Sequence, residues 1–331
     1  MKKLVGGAFA YFLFSVFALM SCQKAEPIID RVPDKTVQTR IEVSGEVDLG
    51  EGIPMVADTQ SDQKAAGKAS PNDLYGIQVY GAPQSDKAPV YGPYAYGLFD
   101  DVTQLTLELL QSQFYRVCIT MVKDGKTLIK SMGNKFYEPF LLSSMPTLVG
   151  NTFNYTSRSC FLGLSLGKIR NPTATNALFD IPAVDRYAGE IDAFAPADGK
   201  NIAIELKRVV FGVRLLAPDL KEGTIELEIT GAPVMTIAVG ETQKEQIFSL
   251  KGDSKLNTWI DPMYEEQLQC KATWKKANGT TFELGPAEGQ TLTVKRNCMY
   301  PIKVTTKLPV SSLGVTIEAE TPMTEQPETN F

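Results

Sequence analysis

The chain has 331 residues, 43% of them hydrophobic, with 33 basic and 38 acidic side chains, a formal net charge of −5 and no histidine. A mildly acidic chain lacks the clustered Lys and Arg that phosphate binding needs, which argues against nucleic acid as a partner. Without histidine the commonest metal ligand and the usual proton carrier of a triad are gone. No metal or other cofactor is expected, and any enzyme would have to run on carboxylates, Lys, Tyr or Cys.

Lys2 and Lys3 precede an uncharged apolar run from Leu4 to Met20, the basic head and apolar core of a secretory signal. The run is short for a spanning helix, and polar sequence follows at once. It ends in Leu19-Met20-Ser21-Cys22, which resembles the lipobox of bacterial lipoproteins. That resemblance implies cleavage before Cys22, lipid on Cys22 and residence in the cell envelope as an outer-membrane lipoprotein, periplasmic or surface-exposed. Removing residues 1–21 leaves 310 (331 minus 21), enough for two domains with separate cores. Losing Lys2 and Lys3 leaves 31 basic against 38 acidic residues, a net of −7.

Residues 23–37 are polar, contain Pro27 and Pro33 and read as a tether. From Thr39 the pattern becomes strict alternation: Ile41, Val43 and Val47 against Arg40, Glu42, Ser44 and Glu46, a half-buried strand. Residues 57–73 read as a polar loop. Tyr75, Ile77 and Val79 alternate again, followed by a Gly/Pro/Tyr-rich loop from Gly81 to Phe99. Leu105, Leu107 and Leu109 fit a strand better than a helix. Tyr115, Val117, Ile119 and Met121 continue the strand pattern, and Lys123-Asp124-Gly125-Lys126 predicts a tight hairpin. Residues 170–200 carry Asn171-Pro172, Pro182, Pro196 and Asp198-Gly199, the punctuation of a domain boundary.

The second half opens with Ile202, Ile204 and Leu206 on one parity and Val209, Phe211, Val213 and Leu215 on the other. The phase flip at Lys207-Arg208 predicts a β-bulge. Further alternating segments run over Ile225–Ile229, Met235–Val239, Leu268–Trp274, Leu292–Val294, Tyr300–Val304 and Val315–Ile317, with a hairpin signal at Ala277-Asn278-Gly279-Thr280. Short strands with frequent turns predict an all-β fold of two tandem antiparallel β-sandwich domains. The organisation expected is a signal peptide over 1–21, lipidated Cys22 and tether over 22–37, an N-terminal sandwich over 38–172, a linker over 173–200, a C-terminal sandwich over 201–319 and an acidic tail over 320–331.

Four cysteines remain besides Cys22: Cys118, Cys160, Cys270 and Cys298. Their spacing fits no zinc pattern, and an oxidising envelope permits disulfides. Cys270 and Cys298, on apolar strand faces in one region, are the best candidate pair; the alternative is four buried thiols packed as small hydrophobes. Gly163-Leu164-Ser165-Leu166-Gly167 has the form of a nucleophile elbow but lacks its histidine. Ser165-x-x-Lys168 lacks the elements that accompany that motif in penicillin-recognising enzymes. A carboxylate-based hydrolase stays a remote alternative. Glu226/Glu228 and Glu318/Glu320 read more simply as solvent faces of strands. Tyr91, Tyr94, Tyr96 and Phe99 could stack on sugars, or form a satellite core under a long loop.

Several of these segments resemble surface lipoproteins of Bacteroidales: Asp73-Leu-Tyr-Gly-Ile-Gln-Val-Tyr80, Tyr94-Ala-Tyr-Gly-Leu-Phe-Asp100, Val184-Asp-Arg-Tyr-Ala-Gly-Glu190, Leu206-Lys-Arg-Val-Val-Phe-Gly-Val213 and Arg296-Asn-Cys-Met-Tyr-Pro-Ile302. The wider group is similar to the fimbrillins, lipid-anchored precursors of two β-sandwich domains. The resemblance implies a non-catalytic structural or adhesive component whose partners are the outer membrane and other fimbrillin-like subunits. A glycan- or ligand-binding lipoprotein is the alternative. It also implies proteolysis after Arg or Lys that removes the first strand and opens a groove for a strand of the next subunit. Arg31 in the tether and Arg40 before the first strand are the candidate cut sites, and the C-terminal strand Val315–Ala319 is the candidate donor.

Overall fold

The structure is a computed structural model, and it describes residues 34–45, 71–85, 87–129, 131–132, 135–137, 146–156, 169–170, 178–252, 258–284, 289–306, 314–317 and 321–322. The elements of its first half are β1 (Thr36–Gly45), β2 (Leu74–Pro83), β3 (Gly92–Phe99), β4 (Thr106–Leu110), β5 (Gln113–Val122), the one-turn helix α1 (Gly125–Leu128), β6 (Ser131–Met132), β7 (Lys135–Tyr137), β8 (Pro146–Leu148), β9 (Asn154–Tyr155), β10 (Ile169–Arg170), β11 (Leu178–Phe179), β12 (Arg186–Phe194) and β13 (Ile202–Arg208). After Val209 come β14 (Val210–Leu216), β15 (Thr224–Ile229), β16 (Met235–Ala238), β17 (Gln243–Ser249), the short 3-10 turn η1 (Thr258–Ile260), β18 (Glu266–Lys275), β19 (Thr281–Leu284), β20 (Gln290–Val294), β21 (Cys298–Thr305), β22 (Gly314–Ile317) and β23 (Thr321–Pro322). The fold is all-β, as the alternation in the sequence predicts.

An eight-stranded sheet runs in the order β4-β1-β13-β12-β5-β2-β3-β9. Alternate residues of these strands point into one core. It contains Val37, Ile41, Ile77, Val79, Leu107, Leu109, Val117, Ile119, Ile202, Ile204 and Leu206, all at most 4% exposed. Each such aliphatic side chain contributes about 1.5–3 kcal/mol by leaving water. After Val209, one sheet (β17-β14-β21-β22, with β23 also on β21) faces another (β16-β15-β18-β19, with β20 also on β18). Phe211, Val213, Leu215, Ile302 and Val304 of the former and Ile225, Leu227, Ile237, Ala272 and Val294 of the latter share a second core. The turn at Asn278-Gly279 forms as expected. Gly279 sits at φ +85°, Thr280 N–H donates to Asn278 Oδ1, and Lys275 pairs with Thr281.

Several expectations need correction. The sheets are not antiparallel throughout, because β1 pairs parallel with β13 and β14 parallel with β21. The first strand begins at Thr36, inside the predicted tether, and buries Val37 and Thr39. Gly81–Phe99 is not one long loop. Gly81–Pro83 and Gly92–Phe99 are strand, and Gly97 is needed for a close approach, since a Cβ there would lie 2.2 Å from the Phe99 ring. The predicted hairpin at Asp124-Gly125 is instead a left-handed Asp124 (φ 54°) leading into α1.

The predicted linker 173–200 holds β12, which pairs with β5 over Arg186–Phe194 and so lies within the sheet. Proline and Asp-Gly mark turns there. The change of sheet falls at Val209, where the sequence predicts a bulge. β13 ends at Arg208 paired with Tyr187, and β14 starts at Val210 paired with Ser249. A strand that leaves one sheet for another must reverse which parity faces inward, and that is the phase flip. Val209 is held by donating to Arg186 O at 2.8 Å and accepting from Leu250 N–H at 3.1 Å. The tail prediction over 320–331 is corrected at its start, where Thr321–Pro322 pairs with Cys298–Met299.

Candidate functional site

The position of β1 is set by two short registers that do not overlap. Thr36–Arg40 pairs antiparallel with Leu110–Thr106, and Ile41–Gly45 pairs parallel with Ile202–Leu206. Two backbone bonds bracket the first register, Gln111 N–H to Lys35 O at 2.9 Å and Ile41 N–H to Leu105 O at 3.0 Å. β1 therefore hands over from one neighbour to the other at Arg40. Its alternation seats Val37, Thr39 and Ile41 inward, while Gln38, Arg40 and Glu42 face solvent. Gln38 Nε2 donates to Glu108 Oε1 at 2.8 Å, and Arg40 Nη2 donates to Thr103 O at 3.2 Å. The seat is imperfect at one atom. Thr39 is fully buried, and its hydroxyl has no hydrogen-bond partner among the described residues.

β4 is held from the side away from β1 by three tyrosines. Tyr94 Oη donates to Glu108 O at 2.8 Å, Glu108 N–H donates to Tyr155 Oη at 2.8 Å, and Leu110 N–H donates to Tyr115 Oη at 2.9 Å. The rings pack edge-on, with centroids 4.9 Å apart for Tyr94–Tyr115 and 5.7 Å for Tyr94–Tyr155. Burial raises the Tyr94 and Tyr155 phenols above their ordinary pKa, so the hydroxyls stay protonated. The pattern of alternating residues marks β3, β4 and β5 as strands, but it carries no signal that these three side chains converge.

Arg40 is exposed but lies inside β1 rather than before it, and the strand extends five residues further back, to Thr36, than the expected start at Ile41. Cys22, Arg31, Cys160, Ser165, Glu318 and Glu320 lie outside the described residues. Cys270 and Cys298 stand on facing sheets of the second core with no disulfide between them, and Cys118 is buried in the first half of the chain. This corrects the expected Cys270–Cys298 disulfide, since a core this large closes without a staple. Burial, then the neighbouring Glu190 carboxylate, pushes the Cys118 thiol well up, the opposite of an activated nucleophile.

The aromatic cluster does not form a platform. Phe99 is core and packs on Phe153 at 4.8 Å; Tyr94 caps β4; Tyr96 Oη accepts from Asn154; and the Arg116 guanidinium sits 4.7 Å over the Tyr91 ring. The alternating glutamates Glu226 and Glu228 are strand faces. Glu226 pairs with Lys275 at 2.6 Å, and Glu228 stands across from Lys271. On β12, a hydrogen bond from Arg116 lowers the Asp192 carboxyl, while burial raises that of Glu190, which lies 3.7 Å from Cys118 Sγ. Among the described residues no group of three His, Cys, Asp or Glu side chains could hold a metal ion, and no helix is long and apolar enough to cross a membrane.

No known protein family and no curated protein matches the sequence. Among solved structures, the chain is similar to a C-terminally truncated form of the tip fimbrial protein Mfa3 from Porphyromonas gingivalis. The two are 10% identical, with 77% of this chain and 97% of that one covered at a TM-score of 0.34. It is also similar to the fimbrial anchor protein Mfa2 from the same organism, at 9% identity, 85% and 96% coverage and a TM-score of 0.33.

Proposed function

We propose that this chain is made as a lipid-anchored precursor at the outer membrane, non-catalytic and fimbrillin-like in its part as a structural or adhesive component, and that the cut chain joins like subunits by strand exchange at the seat of β1. The observation that carries this reading is the handover in β1, which leaves Thr36–Arg40 paired to β4 alone and an exposed arginine at its end. A cut after Arg40 removes that half-strand and uncovers Leu107 and Leu109, which are buried in its presence. An alternating strand from another subunit restores the pairing and fills the inward positions. Among the described residues the expected donor strand is held by β21 alone over Gly314–Ile317, at the end of its sheet order. Lipidation at Cys22 and the alternative cut at Arg31 belong to the same reading and rest on the sequence.

Limited trypsin treatment of the purified protein tests it. Cleavage after Arg31 or Arg40 that leaves a folded core and yields oligomers is the expected result. A cut chain that unfolds, or a folded core that stays monomeric, overturns it.

A further inference from the structure

β4 has two long sides. One faces the N-terminal half of β1. The other has no neighbouring strand among the described residues, and a bare strand edge normally invites another chain or frays. Here Glu108 N–H, Glu108 O and Leu110 N–H on that outer side all end on tyrosine hydroxyls, carried by β3, β9 and β5. These three strands belong to one run of the sheet, β5-β2-β3-β9, so β4 is fastened across the core to a part of the sheet that does not involve β1. Tyr115 is fully buried and its ring touches that of Tyr94, which in turn touches that of Tyr155, so the hydroxyls are fixed before β1 docks.

We propose that Tyr94, Tyr115 and Tyr155 are positioning residues that hold β4 as a standing template, which makes the seat of Thr36–Arg40 a preformed receptor for an extended peptide segment. Its ligand class follows from the register. The segment runs antiparallel to β4 for five residues, with β-branched side chains of the size of Val37 and Thr39 at its two inward positions and polar side chains between them. The occupant exchange rests on the strand-exchange reading above; the template itself does not. If tyrosines hold β4, the strand keeps its position while the half-strand beside it opens.

Backbone amide exchange, followed residue by residue in the intact chain, separates the two. In the wild-type protein Glu108 and Leu110 are expected to exchange at least tenfold more slowly than Val37 and Thr39, whose amides face β4. Tyr155→Phe is expected to speed Glu108, and Tyr115→Phe to speed Leu110, each by at least tenfold. Equal rates for Glu108, Leu110, Val37 and Thr39 in the wild type, or unchanged rates in the Phe variants, overturn the proposal.

The trypsin-cut chain, with the protease inhibited, then takes a synthetic peptide of residues 34–40 as the probe. Tyr94→Phe with Tyr155→Phe is expected to weaken its binding at least tenfold while leaving the thermal transition of the second core in place. Unchanged peptide affinity in that variant also overturns the template. Failure of trypsin to cut at Arg40 sinks the strand-release reading alone, since the exchange rates decide the template without it.

Discussion

β1 and β14 open their respective sheets in the same way, each pairing parallel with a strand far along the chain, and they are held very differently. β14 is flanked on both sides over the same residues. Val210–Leu216 pairs with β17, and Gly212–Leu216 also pairs with β21. β1 has β4 over its first half and β13 over its second, with no residue in both registers. A strand gripped on both sides leaves only when its domain unfolds, whereas a half-strand gripped on one side can leave by local opening. The comparison shows that equal burial does not mean equal commitment: Val37 and Val213 are both core residues, at 4% and 0% exposure.

The sharpest way to break this comparison is to bury a charge in each strand. Val213→Asp is expected to cost about 4 kcal/mol or more and to unfold the second core, because the charge cannot escape without the domain. Val37→Asp is expected to cost only about 1–2 kcal/mol, since the loss is capped by the free energy of releasing Thr36–Arg40. Chemical denaturation gives both numbers. A Val37→Asp variant as unstable as Val213→Asp would show that β1 is as firmly committed as β14.

A smaller effect comes from pH, and Glu266 and Asp100 enter it with opposite signs. Burial raises the Glu266 carboxyl of β18, so the folded state favours its protonated form. That contribution is complete below the unfolded value near ~4.3 and is lost as pH rises through the raised folded value. In the first region, a hydrogen bond from Lys126 and then one from Asn151 lower Asp100. Its contribution is present above the unfolded value near ~3.9 and is lost as pH falls through the lowered one. The unfolding midpoint in urea should therefore rise from pH 7 to pH 5. Glu266→Gln should reduce that rise, leaving the part due to Glu190, which burial also raises, and leaving the loss below pH ~4 intact. A midpoint that falls between pH 7 and pH 5 would contradict the assignment.

The smallest expected effect sharpens the comparison at a single atom. Thr39→Val replaces a buried hydroxyl that has no partner among the described residues with a methyl of similar size. It should stabilise the docked half-strand by about 1 kcal/mol. The gain should appear as slower amide exchange at residues 36–40 and slower cleavage at Arg40, with β14 unaffected. Faster cleavage would mean that the hydroxyl has a role in the seat.

Much of the strand content was legible because one face of each strand is buried, as in Ile202-Ile204-Leu206, where period 2 reports the core directly. The flip at Lys207-Arg208 was visible too, but two causes produce the same flip, a bulge and a change of sheet, and local pattern does not separate them. β12 was missed because Pro182, Pro196 and Asp198-Gly199 surround it, and turn residues report where the chain bends rather than which sheet it rejoins. The parallel partners of β1 and β14 lie about 160 and 90 residues away, and long-range partner choice leaves no local mark. Of the candidate site, Arg40 and the alternation around it were legible. The convergence of Tyr94, Tyr115 and Tyr155 on β4 was not, because it depends on three side chains from three strands meeting in space.

The parallel register of β1 with β13 also has a mechanical side. Both strands start at the end of the sheet away from Val209, and β13 runs through that residue into β14. A pull applied between Thr36 and β14 therefore drags β1 one way and β13 the other along their common axis. Under such shear the bonds of the Ile41–Gly45 register must fail together, whereas in a peel they would fail one at a time. The half of β1 that is lightly held against exchange belongs to the same strand whose other half, Ile41–Gly45, bears tension between the start of the chain and its second core.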